Sequence, residues 1–188
     1  MALPRFCSQC GAPLLAPPPV TCRACDTSHW LDAKPCAGAL VTRRGRLMLV
    51  RRAHDPWRGQ WDVPGGFCGP REHPATTAAR EVLEETGLAV TIGGILGMWI
   101  DSYAPDGEKV TLNIYFHATT DETEDAVADP TEVAEIGWFA PDELPAQLAF
   151  PAHLPAVVRA WKESAGSVSR PAPAVARAAV ARNPGPLV

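Results

Sequence analysis

A chain of 188 residues, 46% of them hydrophobic, is long enough for one packed domain and a small appendage. Its net charge of −4 gives no general footprint for nucleic acid, and no apolar run approaches the ~20 residues that a membrane helix needs. The opening MALPRFCSQC has no apolar signal core, so the expected location is cytoplasmic, where six cysteines are thiols or metal ligands rather than disulfides.

Residues 1–33 are poor in apolar periodicity and rich in Cys and Pro. They hold Cys7-x2-Cys10 and, eleven residues on, Cys22-x2-Cys25. Paired knuckles of this kind are a strong zinc signal, and four thiolates close the coordination sphere, which makes the expected Zn²⁺ structural. A segment of about thirty residues cannot build a core alone, so the metal is expected to hold it folded as a small zinc ribbon.

The larger domain is expected over 34–165. Residues 36–51 read as a hairpin around Arg44-Gly45. WRGQWDVPGG then forms a short strand leading into a Gly-rich loop. Residues 74–86 are helical, with Pro74 at the first position and Gly87 just past the end. Residues 88–103 make one or two strands with a bend at Gly93-Gly94. In KVTLNIYFHA, Val110, Leu112, Ile114 and Phe116 alternate with Thr111, Asn113, Tyr115 and His117, which predicts a half-buried strand with its apolar face inward. DETEDAVAD reads as a solvated loop without function, EIGWF as a short strand, and 153–163 as a closing helix. Residues 34–165 carry 12 basic and 19 acidic side chains. Residues 166–188 carry three arginines and no acid and read as a disordered Ala/Pro/Arg-rich tail.

The helix poses the chemical question. At 100° per residue, Glu84 and Glu85 fall about 60° and 40° either side of Glu81, so three carboxylates share one wedge. Ala75, Ala78, Ala79, Val82 and Leu83 take the other side. Glutamates at these spacings repel, and only Arg80 lies beside them. A Gly-rich loop immediately upstream lets backbone approach a ligand. Hard carboxylate oxygens beside an exposed carbonyl suit Mg²⁺ or Mn²⁺, and such a cation would neutralise the stripe.

Gly66, Glu72, Arg80-Glu81-Val82, Glu84-Glu85 and Gly87-Leu88, at the spacings they have here, resemble the Nudix box at every defined position. The resemblance covers about residues 36–163. It implies an α/β/α sandwich around a mixed sheet, with the box as loop, helix and loop. By the same resemblance Glu81, Glu84 and Glu85 bind catalytic Mg²⁺ or Mn²⁺ with the Gly66 carbonyl, and Glu81 or a later loop acid deprotonates water. Glu72 and Arg80 hold the loop against the helix. Glu132 is the candidate later acid and Glu135 its rival. His73 stands where these boxes often carry a Ser or Thr, which predicts a weaker helix cap.

Arg51, Arg52 and Arg58 are candidate phosphate ligands, and only one of Arg51 and Arg52 can face the site. Trp57, Trp61, Phe67, Trp99 and Tyr103 are candidate stacking groups. A zinc ribbon before such a domain resembles the NADH and FAD pyrophosphatases of the superfamily. The NADH-type SQPWPFPxS motif is missing, LPAQLAF at 144–150 looks like the FAD type, and Pro105 is a loose match to the ADP-ribose type. The expected activity is hydrolysis of the pyrophosphate bond of a nucleoside diphosphate linked to another moiety, FAD or ADP-ribose before NADH. The alternatives are a nucleoside triphosphate sanitising pyrophosphohydrolase, or a non-catalytic zinc-ribbon module that binds nucleic acid or protein. A homodimer is the expected assembly, and nucleic acid is not an expected partner.

Overall fold

The computed structural model describes residues 4–103, 109–121 and 123–165. Both Pro105 and the tail expected at 166–188 lie outside the described residues.

The N-terminal segment is organised by two matching turns. In the first, the Gly11 N–H donates to the Cys7 carbonyl and the Cys7 N–H to the Ala12 carbonyl. In the second, Asp26 donates to Cys22 and Cys22 to Thr27 in the same pattern. Each turn needs a left-handed residue, supplied by Gly11 at φ 73° and Asp26 at φ 58°. A small antiparallel pair, β1 (Val20–Thr21) and β2 (Ser28–His29), completes the unit.

The larger unit is one mixed sheet between two helices. β3 (Lys34–Arg43) and β4 (Arg46–Arg52) form the expected hairpin. Its turn residues Arg44 and Gly45 have φ 51° and 72°, as a tight two-residue hairpin requires. The two strands pair only beside that turn, at Thr42–Leu47 and Arg43–Arg46, and then part. On the side β4 vacates, β3 takes β6 (Gly65–Phe67). β4 takes β5 (Trp61–Asp62) and, on its other side, β9 (Val133–Phe139). Beyond β3 lie β8 (Val110–Thr120), in parallel register, and the terminal strand β7 (Val90–Ser102). The split between β3 and β4 opens the sheet where the functional residues converge.

Helix α1 (Pro74–Thr86) covers one face, packing Ala78 and Val82 on Ala37, Ala39, Val41, Met48 and Phe116. Helix α2 (Leu154–Ala165) covers the other, packing Leu154, Val157, Val158 and Trp161 on Leu40, Leu47, Leu49 and Tyr115. Successive residues of β3 and β4 thus go to opposite helices, as the two-residue period of a strand dictates. Trp161 is fully buried, and its indole N–H donates to Thr42 Oγ1 at 2.9 Å. No helix among the described residues is long and apolar enough to cross a membrane.

Residues 90–102 form one strand, the first of the two expected alternatives, with register shifts between Ile92, Ile95 and Gly97. Three expectations need correction. In β8 the polar set Thr111, Asn113 and Tyr115 is the more deeply buried one, because the sheet is covered on both faces. His73 is a working cap: its Nδ1 accepts from the Ala75 N–H at 3.2 Å, so an imidazole replaces the expected hydroxyl. Leu83, assigned to the apolar side of α1, is 51% exposed.

Gly65 sets how closely β6 can lie on β3. A Cβ there would stand 2.6 Å from both the Ala37 carbonyl oxygen and the Gly38 Cα, backbone atoms that cannot swing aside. Gly65→Ala is expected to cost ~1–3 kcal/mol of overpacking strain. At about 2–4 °C per kcal/mol for a chain of this size, thermal unfolding followed by circular dichroism should show a drop of several degrees. An unchanged midpoint would mean that β6 tolerates a wider spacing.

Candidate active site

At the opening between β3 and β4 a cavity of about 630 Å³ is lined by Glu81 and Glu85 of α1, Gly65 and Gly66 of β6, and Glu132 ahead of β9. Carboxylate oxygens of Glu81, Glu85 and Glu132 all lie within 4.8 Å of one another. Glu81 and Glu85 come from successive turns of α1. Glu132 is brought to them by the acidic loop that the sequence leaves without a role. Its Val127 N–H donates to the Thr86 carbonyl at 2.8 Å and its Asp129 N–H to the Glu85 carbonyl at 3.0 Å, satisfying the free carbonyls at the end of α1. Asp129 Oδ1 then accepts from both the N–H and the hydroxyl of Thr131, and its carbonyl accepts from Glu132 and Val133, fixing the turn that carries Glu132.

Charge is crowded here in a partly dry place. Glu85 is 8% exposed; burial, and then the nearby Asp62 charge, push its carboxyl well above the usual carboxylate range. Its Oε1 accepts from the Gly65 N–H at 3.4 Å, while its Oε2 is buried with no partner among the described residues. Burial also raises Glu81, against the pull of Arg80. A buried oxygen without a donor, inside a set of three carboxylates, fits a hard divalent cation, whose ligands at about 2.0–2.6 Å would be spaced this way. Gly66 leaves room for the arrangement: a Cβ there would lie 2.5 Å from Glu81 Oε1.

Arg80 organises the acids around the cluster. Its Nε donates to Glu72 Oε1 at 2.8 Å and its Nη2 to Glu72 Oε2 at 3.0 Å, a two-pronged grip. Its Nη1 pairs with Glu81 at 2.8 Å and Glu84 at 2.7 Å. The Arg80 hydrogen bonds hold the Glu72 carboxyl down at about 2. Glu72 in turn accepts from the Gly69 N–H and so closes the loop onto the helix. Repulsion along α1 is therefore relieved in part by Arg80 itself, through an i,i+4 pair with Glu84 that the sequence reading left out. Glu84, expected beside Glu81 and Glu85, is 56% exposed and lies outside the three-carboxylate cluster.

The remaining candidates separate. Glu135 lies on the outer part of β9 and pairs with Arg51 at 3.2 Å, so neither points into the cavity. Arg52 and Tyr103 do line it. Arg52 is already engaged, donating to Asp62 Oδ2 at 2.9 Å and to the Pro56 carbonyl at 2.7 Å. Trp57 and Arg58 are not among the lining residues, because Trp57 packs against the α2-side core, edge-on to Phe150. Tyr103 stacks between Phe67 and Phe150, with ring centroids 5.3 Å and 6.0 Å away. The sequence reading missed Asp62 and the wall made by Asn113, Tyr115 and His153. The alternation of Thr111, Asn113 and Tyr115 was visible, but which face of β8 met a cavity was not.

In the N-terminal unit, Cys7, Cys10, Cys22 and Cys25 bring their sulfurs within 4.8 Å of one another, all as free thiols. The Cys7–Cys25 and Cys10–Cys22 separations are 3.6 Å and 3.7 Å. These are far too long for a disulfide and close to the edge of a tetrahedron with metal–sulfur bonds of about 2.3 Å, roughly 3.8 Å. His29 Nε2 lies 3.3 Å from Cys7 Sγ, within reach of a supporting N–H···S bond. The cluster is compatible with a zinc ribbon.

The NUDIX domain family matches residues 32–161. A "MutT-like protein" of Streptomyces ambofaciens is 32% identical over 123 residues, 65% of this chain and 73% of that protein. The NAD-capped RNA hydrolase NudC of Stutzerimonas stutzeri (strain A1501) is 31% identical over 147 residues, 76% of this chain and 50% of that protein, so the match spans half the relative's length. A crystal structure of a NUDIX hydrolase from Nitrosomonas europaea superposes with a TM-score of 0.70 at 27% identity, over 90% of this chain and 96% of that one.

The raised carboxyl of Glu85 gives a pH prediction for the metal-free protein. Its folded pKa lies above the ordinary 4.5, so the folded state holds the proton longer and stability falls as pH rises from about 4.5 through the folded value. Glu85→Gln keeps the acceptor for Gly65 and removes the charge. In EDTA at pH 7 it should melt higher than the parent, and Mg²⁺ should raise its melting point less. Scanning calorimetry of both proteins with and without Mg²⁺ checks this, and a lower melting point for the variant in EDTA would contradict it.

Proposed function

We infer the activity of this protein from one premise: the chain belongs to the NUDIX domain family and is a Nudix hydrolase. Nudix hydrolases act on small nucleotide substrates and use divalent metals. The proposed reaction is Mg²⁺- or Mn²⁺-dependent cleavage of the pyrophosphate bond in a nucleoside diphosphate linked to a second moiety, FAD or ADP-ribose first, giving two monophosphates. The observation that carries this reading is a single cavity lined by two unlike groups. One is the Glu81, Glu85 and Glu132 carboxylates, and the other is the aromatic rings of Phe67, Tyr103 and Phe150. A volume of about 630 Å³ suits a whole dinucleotide-like ligand with its phosphates at the carboxylates.

The cation, when bound, screens the diphosphate charge and lowers the pKa of a coordinated water. Glu81, Glu85 and Glu132 would hold it, with the Gly66 carbonyl and the exposed Glu84 as the further proposed ligands. Glu81, whose carboxyl burial already raises, is the proposed acceptor of the water's proton. The new bond forms between the water oxygen and one phosphorus, the bridging P–O bond breaks, and the bridging oxygen leaves with the second phosphate. Arg80 and Glu72 keep the Gly-rich loop and α1 in register throughout. The aromatic rings exclude water and stack the base.

Cleavage should vanish in EDTA and return with Mg²⁺ or Mn²⁺. Glu85→Gln should lower kcat by on the order of 10²–10⁴-fold, equal to ~3–5 kcal/mol of transition-state stabilisation. Glu84→Gln should do the same through the metal. Assays of FAD, ADP-ribose, NADH, dNTPs and NAD-capped RNA with release of monophosphate or pyrophosphate as readout separate the substrate classes. Wild-type rates in both variants would end the carboxylate assignment, and turnover of dNTPs alone would favour nucleotide sanitation.

Zinc is the proposed occupant of the four-cysteine cluster, as a structural ion. Elemental analysis of the purified protein should find about one zinc per chain. Cys22→Ser should release it and unfold the N-terminal unit while the sheet domain keeps its melting transition. A zinc-free protein with an ordered N-terminal unit would refute this.

A further inference from the structure

Part of the cavity wall is built from β8 and the turn that leads into α2, and its polar groups are linked to one another. Asp101 Oδ2 lies 2.5 Å from His153 Nδ1, and a carboxylate accepts, so Nδ1 carries a proton. In the neutral ring Nε2 is then an acceptor, and the Tyr115 hydroxyl, 2.8 Å away, donates to it. With the ring in that state the Tyr115 oxygen is left with lone pairs only. Asn113 is oriented in the same way. Its amide nitrogen donates to the Trp99 carbonyl at 3.4 Å and to Thr111 Oγ1 at 3.0 Å, and the Thr111 hydroxyl donates to the Asp101 carbonyl. A backbone carbonyl can only accept, so the amide cannot be flipped, and Asn113 Oδ1 is the atom left over.

This wall is rigid and costly to arrange. Asn113, Tyr115 and His153 are 8%, 7% and 3% exposed, yet all three line the cavity. The Tyr115 ring lies against Gly38, where a Cβ would stand 2.9 Å from its Cε1, and is flanked by Trp99. Buried polar atoms that present only lone pairs suit a ligand that brings hydrogens and repel one that brings oxygens. Such a wall disfavours a phosphate, which is better served by the carboxylate cluster once a cation fills it.

We propose that Tyr115 and Asn113 form a specificity-determining subsite that accepts a hydrogen bond from an N–H or O–H group on the AMP half of the substrate, with His153, anchored by Asp101, as the positioning residue that fixes the Tyr115 hydroxyl. This rests on the dinucleotide reading above, since FAD and ADP-ribose share an AMP half. The donor is either the exocyclic amine of the base or a ribose hydroxyl, and the two are chemically separable.

The test is equilibrium binding of nucleoside monophosphates to the full chain by calorimetry with Mg²⁺, which needs no turnover. AMP should bind at least tenfold more tightly than one of three analogues: IMP if the base amine is the donor, 2′-deoxy-AMP or 3′-deoxy-AMP if a ribose hydroxyl is. Tyr115→Phe and Asn113→Ala should each bring that ratio to within about threefold. His153→Ala should also lower it, whereas His153→Gln, whose side-chain oxygen can accept from Tyr115, should restore most of it. If Tyr115→Phe does not fold, Asn113→Ala and the His153 pair carry the measurement. Equal affinity for AMP and all three analogues, no binding of AMP, or discrimination that survives Asn113→Ala overturns the subsite. Failure of the hydrolase reading is seen elsewhere, as absent cleavage of FAD and ADP-ribose with AMP discrimination intact.

Discussion

Like charges brought together away from water repel, and this protein sets three carboxylates within 4.8 Å of one another at the edge of its core. The surrounding structure is arranged to bear that load. Arg80 draws off part of it through Glu72, Glu81 and Glu84. The loop before β9 is tied to the end of α1 by backbone hydrogen bonds, so Glu132 cannot drift from Glu85. Gly65 and Gly66 let the β6 backbone lie against both β3 and Glu81. What remains unbalanced is the buried Oε2 of Glu85, and a divalent cation is the group whose chemistry completes it.

Local features of the sequence forecast local structure well. Pro74 and Gly87 bracket α1, the Arg44-Gly45 turn sets the first hairpin, and the paired knuckles bring four sulfurs together. Each of these is decided by backbone preferences of a few adjacent residues. The box motif likewise pointed to Glu81, Glu85 and their Arg80 partner, because one helix carries all three. Glu132 was within reach only as one of two rivals. The choice between it and Glu135 depends on how β9 pairs with β4, a contact between segments about 80 residues apart.

The parts that were not legible share that origin. Arg51 and Arg52 alternate along β4, but only the pairing with β5 and β9 decides which one turns inward to Asp62. The polar residues of β8 alternate as a solvent-facing set would. They face a cavity because α2 and its preceding turn close over them, and nothing within β8 announces that cover. A two-residue period reports that a strand has two different faces. It does not report whether the polar face meets water or a ligand.

The irregular stretch of β7 bears on a hazard unrelated to chemistry. β7 ends the sheet, runs for thirteen residues, and leaves Ile95, Met98 and Ile100 more than half exposed. A long, straight, apolar edge with unpaired backbone groups is a template on which another chain can add a strand and begin to aggregate. The register shifts between Ile92, Ile95 and Gly97 interrupt the ladder, and irregularities of this kind bend and twist the strand that carries them. An incoming strand would find no straight run of matching donors and acceptors across that stretch. The shifted stretch, which spans Gly93 and Gly94, thus helps to keep the sheet finite.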